Sequence, residues 1–425
     1  MELYSYDLLQ VPNFKNIVLG LPIENDILNV IDYSTKNNSQ YKIIRYNKDI
    51  LDEDDINTIG RIRSVIVNSE NKVVSISPSK SLKIDKFTQK YPKIEEINNN
   101  IIGEQFIEGT MINLFWDPSI GVAGGWEIAT RNTVGAEVSF YKSSTSEIKN
   151  NETSHNKTFN EMFRDACTFN NVDLTLLKQE YCYSFVLQHP ENRIVVPFKQ
   201  TQLYLIEVYK IQHTTDNIMV HNVSLLEFNS FGLQSTSVQI PQVYEYNTYD
   251  ELISKYASNN TSYDIVGVVF KNLVTGERTK KRNPVYEEIK QLRGNQPKIQ
   301  YQYLCLRKEG KVKEFLEYFP EYKKEFAKFR KQLHDFTNTL FSNYKECFIK
   351  KEKKHNEYSL QYRNHMFVLH STYRDELMSR NLYITNTFVI KYVNSLHPSQ
   401  QMHSLNYNLK KRMIDFVKAD ALNLL

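Results

Sequence analysis

The reactive side chains of this 425-residue chain do not gather into any of the short motifs that announce a reaction. There is no G-x-x-x-x-G-K-[ST] loop to wrap a phosphate in backbone amides, and no G-x-S-x-G turn to raise a serine nucleophile. The histidines, among them His189, His365, His370, His397 and His403, form no H-x-x-x-H pair, so no metal site is expected from them. What the residues offer instead is positive charge. From Lys271 to Lys354 basic residues outnumber acidic ones although the whole chain carries only +4, which is the footprint of a polyanion partner or else of a solvated helical surface. The stretch LRGNQPKIQYQYLCLRKEGK (292–311) mixes Arg, Lys, Tyr and Gln. Such a surface could follow a nucleic-acid backbone and stack on its bases, and it could equally be a buried polar connector between domains. In EQFIEGTMINLFWD (104–117), the acid-Gly-small turn Glu108-Gly109-Thr110 joins two apolar runs, so Glu108 is either a working carboxylate or an ordinary turn residue.

The elements that would hold these residues fall into two textures. Up to about Val274, short β runs alternate with polar turns: 64–77 as a hairpin around SENK, NLFWD before WEIATR, YCYSFVL (181–187), RIVVPF (193–198), LYLIEVYKI (203–211) and DIVGVVFKN (264–272). At this density they predict an antiparallel α+β domain, with helices over 157–169 and 249–257 and an exposed loop over 143–156. Beyond Arg282 the apolar residues recur at three- and four-residue intervals: Phe315, Tyr322, Phe326, Phe329, Leu333, Phe336 and Leu340 form a helical core stripe interrupted at Pro320. Further helices are expected over 359–379 and 386–396, and the run YNLKKRMIDFVKADALNLL closes the chain. The boundary is placed between residues 284 and 285, giving domains 1–284 and 285–425.

Four cysteines (Cys167, Cys182, Cys305, Cys347) stand too far apart for a disulfide framework or a zinc knuckle, which suits a reducing, cytoplasmic or nuclear setting. MELYSYDLLQ lacks the basic and apolar regions of a signal peptide, and no run approaches the roughly 18 apolar residues of a membrane span, so no membrane partner is expected.

Taken in order, several stretches resemble the bacteriophage-type RNA ligase family of covalent nucleotidyltransferases. RSVIV matches an Arg-Gly-strand element with Ser64 in place of glycine, followed by SPSKS with Lys80; FIEGTMINLF matches the Lys-x-acid-Gly nucleophile motif; and WEIATRN carries Arg131 at a basic position. YSFVLQHPENRIVVP is the most specific match, DIVGVVFKN resembles a Glu-Gly-Val-Val strand, and RTKKRNP resembles the closing Lys-x-Lys strand. EGTMINLF, HPENRIV and LRGNQPKIQYQYL also resemble proteins of large DNA viruses. The resemblance implies an antiparallel-sheet nucleotidyltransferase domain followed by a helical domain.

It also implies a damaged reaction centre. A ligase needs a lysine amine to attack a phosphorus and carboxylates to hold a divalent metal. Phe106 stands in the lysine's column, Ser184 in that of one motif acid and Val266 in that of another, while Glu108 and Gly109 persist. The groups kept are cations that can grip phosphate without a metal, Arg63, Arg131, Arg193, Lys280 and Arg282, with Asn192 beside them. Three readings follow. The first is an RNA-ligase-like protein with a degraded adenylylation site that binds RNA, other nucleic acid or nucleotide through the cationic cleft, in an infected cell's cytoplasm or a virion if viral. The second is an active ligase that uses ATP and Mg with Lys80 as displaced nucleophile. The third is a structural or virion scaffold with a protein partner.

Overall fold

A computed structural model describes residues 2–22, 26–92, 100–140 and 157–409. The described residues separate into two compact units that meet in the sequence between Arg293 and Gly294. The first holds three antiparallel sheets, and the second is helical. This is the α+β domain and helical region that the texture of the sequence predicts.

The first unit is built on a six-stranded sheet. Its strands run in the spatial order β1 (Glu2–Asp7), β11 (Ile218–Val223), β10 (Gln202–His213), β9 (Tyr181–Gln188), β7 (Thr110–Asp117) and β8 (Gly125–Ala129). A four-stranded sheet, β12 (Val243–Tyr244), β6 (Ile101–Gln105), β13 (Gly267–Asn272) and β14 (Arg278–Arg282), provides the opposing wall. A third, β2 (Leu28–Ser34), β3 (Gln40–Tyr46), β4 (Val65–Asn68) and β5 (Val73–Ile76), packs its apolar face onto the same core. Period-2 alternation decides which side each residue serves. On β9, Tyr183, Phe185 and Leu187 point into a core shared with helix α3 (Phe159–Phe169), while Cys182 and Val186 belong to clusters on the other side. Helix α3 starts where Thr158 and Glu161 form a capping box, which satisfies two otherwise orphaned amides.

The two walls are joined by a buried ionic cluster. Lys271 on β13 lies 2.7 Å from Glu104 on β6 and 3.5 Å from Glu207 on β10, and Arg278 on β14 is 3.5 Å from Glu207. The Tyr209 and Tyr4 hydroxyls also donate to Glu207. Burial alone would raise the Glu207 carboxyl, but Lys271 and Arg278 outweigh it and hold it below its ordinary value. Short helices α1 (Phe14–Val18), α2 (Ile84–Lys90), α4 (Tyr249–Tyr256) and α5 (Pro284–Arg293) complete this unit.

The second unit comprises α6 (Ile299–Glu309), α7 (Val312–Tyr318), α8 (Lys323–Tyr344), α9 (Leu360–Thr372), α10 (Asn386–Ser395) and α11 (Pro398–Leu405). Pro320 breaks the pattern between α7 and α8, and Phe315, Phe326, Phe329, Leu333, Phe336 and Leu340 are buried, so the aromatic stripe is a core face. The loop expected over 143–156 and most of the closing run lie outside the described residues.

One expected strand is absent. Residues 193–198 form a loop, and the reason is local. The Glu108 carboxylate accepts hydrogen bonds from the Val195 and Val196 amides at 3.1 and 3.0 Å, taking the place of a neighbouring strand, and Pro197 has no amide to offer.

Candidate functional site

β6 ends at Gln105, and the chain then runs through Phe106-Ile107-Glu108-Gly109 into β7. This crossing segment links the two walls, and a cavity opens on either side of it. Gly109 is required here: its φ is 151°, and a Cβ would lie 2.5 Å from the Leu187 carbonyl oxygen.

The smaller cavity, about 210 Å³, is lined by Arg63, Phe106, Gly109, Arg278, Lys280 and Arg282, among others. Three of its cations come from one strand. Residues 278, 280 and 282 of β14 share a face because side chains alternate, so a cation recurs at every second position. The half-buried Phe106 ring lies among them, its centroid 5.6 Å from Lys280 Nζ and 5.5 Å from Arg282 Cζ. Cations over an aromatic face gain about 0.5–1 kcal/mol each, which partly offsets their mutual repulsion.

The two arginines of this row are anchored and the lysine is not. Arg278 donates to the Ser79 and Pro78 carbonyls, fixing the SPSKS turn, and pairs with Glu207. Arg282 forms a 2.8 Å ion pair with Glu287. Lys280 has no hydrogen-bond or ion-pair partner among the described residues. Its side chain is exposed where it opens to the cavity; desolvation by the neighbouring strand wall, followed by Arg282, Arg278, Arg63 and Lys80, lowers it to about 7. Arg63 is likewise lowered to about 10, first by burial and then by Arg278. Arg131, which lies over the Tyr46 ring at 5.4 Å, acts on both Arg63 and Arg45 and extends the positive field beyond the cavity.

The larger cavity, about 490 Å³, has a different chemistry. Gln105, Gln188, Gln200, Gln202 and Gln239 offer amides on its walls. Aromatic rings join them, including Tyr244 and Tyr256, which stack on each other at 4.3 Å. Phe106 and Glu108 line this cavity as well, so Phe106 is a partition shared by both. Glu108 is buried and committed to its loop; burial raises its carboxyl above the ordinary range, opposed by the Tyr286 hydroxyl and the two amides.

Ser184 and Val266 are set among neutral groups. The Ser184 hydroxyl donates to Asn113 Oδ1 at 2.9 Å, and Asn113 Nδ2 donates to Ser77 at 2.6 Å, a buried chain of neutral groups. Val266 is a buried apolar wall of the larger cavity. Among the described residues no group of three His, Cys, Asp or Glu side chains is arranged to hold a metal ion.

The residues singled out from the sequence therefore separate. Arg63, Gly109, Lys280 and Arg282 line one cavity, and Glu108 the other. Asn192 donates to Thr110 at 2.7 Å and Arg193 to the Val195 carbonyl, both bracing the PENRIVV loop. Lys80 lies on the Arg278-anchored turn, its amide bonded to Gly60, outside the residues lining either cavity. Arg278 and the glutamine-tyrosine wall were missed. Arg278 was available from the alternation RTKKR, whereas the wall is assembled from segments far apart in sequence.

No protein-family model matches the chain. Over 210 residues it is 25% identical to an RNA ligase of Rhodothermus phage RM378, a match covering 44% of this chain and 45% of that protein. The chain thus spans about half the length of this curated relative. The similarity makes the chain a distant homologue of the RNA-ligase-like nucleotidyltransferases. Among solved structures, a Naegleria gruberi RNA ligase variant with ATP and Mn aligns at a TM-score of 0.33 and 13% identity, over 50% of this chain and 58% of that one. The same enzyme with pyrophosphate aligns at 0.33 and 12%, over 50% and 57%. No helix among the described residues is long and apolar enough to cross a membrane.

Proposed function

We propose that this chain is an RNA-ligase-like protein that has lost the adenylylation site of its motif and holds the phosphates of a nucleotide or nucleic acid in its cationic cavity. One observation carries the reading: a phenyl ring stands where the nucleophilic amine belongs, and the cations around it remain, with Lys280 and Arg282 both within 5.6 Å of its centroid. Phosphate is the ligand that repays such an arrangement, because guanidinium forks bind its oxygens in pairs and anionic charge relieves the repulsion among the cations. The adjoining glutamine- and tyrosine-lined cavity has the size and the donor-acceptor mixture for a nucleobase and its sugar. Relatedness to proteins of large DNA viruses, and with it a place in an infected cell's cytoplasm, belongs to the same proposal.

The test is equilibrium binding of a fluorescent ATP analogue and of 5′-phosphorylated single-stranded RNA to the full chain. Binding of both, competed by pyrophosphate and weakened about tenfold (about 1.4 kcal/mol) by Arg63→Ala or Arg282→Ala, is the expected result. Failure of both ligands to bind at low salt, or binding indifferent to both substitutions, overturns the reading.

A further inference from the structure

A third cavity of the β-rich unit, about 590 Å³, takes no part in holding phosphate. It shares Glu104, Ile206 and Pro241 with the lining of the cationic cavity but has none of Arg63, Lys280 and Arg282. We propose that it is a binding site for a small amphipathic amine, an apolar body that carries a primary ammonium head. The site stands whether or not phosphate binds in the neighbouring cavity.

The walls set the body of the ligand. Leu3 of β1, Ile102 of β6, Ile206 of β10 and Val223 of β11 line the cavity, together with Leu225 and Leu273. Its edge is apolar as well: Leu226 and Val274 are 94% and 57% exposed, and Val243 and Ile240, which also line it, are exposed too. One exposed leucine is ordinary on a protein surface, but four exposed apolar side chains on one hollow shed water together when an apolar body enters. The volume lies within the range of about 300–1,000 Å³ that small-molecule sites occupy.

The head is set by the acceptors left over at the polar end. Among the described residues three carboxylates line the cavity, those of Glu2, Glu104 and Glu207, against the one amine of Lys271. That amine is already committed, 2.7 Å from Glu104 Oε1 and 3.5 Å from Glu207 Oε1. Glu207 is satisfied, since Tyr4, Tyr209 and Asn222 all donate to its other oxygen. Glu104 is only 4% exposed, yet its Oε2 has no hydrogen-bond partner among the described residues. Asn222 spends its amide nitrogen on Glu207 and on the Val208 carbonyl, which leaves its Oδ1 as a second acceptor. Two buried oxygens without donors call for a ligand that donates, and an ammonium brings three donors together with the charge that offsets the excess of acid. A carboxylate or phosphate head would meet two buried acids and, among the described residues, no uncommitted cation.

The full-length protein is titrated calorimetrically at neutral pH with n-octylamine, octan-1-ol and octanoate, which share a chain length and differ in the head. The expected result is that the amine binds, and that the alcohol and the acid each bind at least about tenfold more weakly. Leu226→Ser combined with Val274→Ser removes apolar surface at two exposed positions where the fold does not depend on it, and should weaken the amine about tenfold. Absence of amine binding, equal binding of all three compounds, or tightest binding of octanoate overturns the proposal. Amine binding that is unchanged in the double variant overturns it too, because the amine is then held elsewhere.

Discussion

Glu108 and Lys280 line different cavities, each shifted first by desolvation and then by its own neighbours, and their consequences are opposite. Glu108 is held above its ordinary value of 4.5 chiefly by burial. The folded state therefore binds a proton that the unfolded state has released, so this contribution to stability is complete below about 4.5 and is lost as pH rises through the folded-state value. Substituting Glu108→Gln keeps an acceptor for the Val195 and Val196 amides; Glu108→Ala strands both. Thermal unfolding of the alanine variant is expected to show a loss of about 1–3 kcal/mol, with the glutamine variant much closer to wild type and its gap from wild type widening in the wild type's favour toward acid pH. Lys280 is displaced the other way, from 10.5 to about 7. Phosphate binding at this group should weaken as pH rises through that value. At this scale the sequence was legible where the role follows from residue type, as with the cations Arg63, Lys280 and Arg282 that line one cavity. It was illegible where a role depends on partners: nothing in PENRIVV says that its arginine turns back on Val195 or that Glu108 replaces a strand.

The elements meet through the buried cluster of Glu104, Glu207, Lys271 and Arg278, which joins β6, β13 and β14 to β10 and so fixes the distance between the walls of the cleft. Removing one member of such a cluster leaves an opposite charge buried without compensation, at a cost of about 3–5 kcal/mol. Lys271→Met is therefore expected to lower the unfolding midpoint in denaturant sharply. The double change Lys271→Met with Glu104→Met should recover much of the loss, since Glu207 keeps Arg278 and its tyrosines; a double variant as unstable as the single one would contradict the role given to the pair. Gly267, with φ 140° and an added Cβ that would lie 2.1 Å from the Lys281 carbonyl oxygen, opens β13 at a position that admits no side chain. Most of these strands could be read as short, nearly continuous apolar runs, as in YCYSFVL and LYLIEVYKI, because burial on both faces demands it. The cluster could not be read, because Glu104, Glu207, Lys271 and Arg278 are spread over 175 positions and come together through the pairing of β13 with β6 and β14 and the ion pairs of that sheet to Glu207 on β10.

At the scale of the whole chain the two units carry positive charge of different kinds. In the β-rich unit the cations are few and line one cavity, with Arg278 buried, Arg63 and Arg282 half-buried and Lys280 exposed, which suits one ligand with concentrated charge. In the helical unit they are exposed and repeated: Lys323, Lys324, Arg330 and Lys331 on α8, and Lys350, Lys351, Lys353 and Lys354 in the segment after it, with Glu352 tempering only Lys350 at 3.4 Å. Exposed lysines of this kind bind a polyanion by releasing its counterions, with little dependence on sequence or geometry. The two kinds separate experimentally. Replacing Lys350, Lys351, Lys353 and Lys354 together by Gln should leave affinity for the ATP analogue unchanged while weakening single-stranded RNA. The slope of log affinity against log salt should become shallower by about 0.7 for each contact removed. Arg282→Ala should instead weaken both ligands about tenfold, with the RNA slope changing by no more than the about 0.7 of a single contact. Titrations between about 50 and 200 mM salt decide it. If the four-glutamine variant binds RNA with the wild-type slope, the helical unit's charge is a solvated surface, and the polyanion footprint of the sequence belongs to the β-rich unit alone.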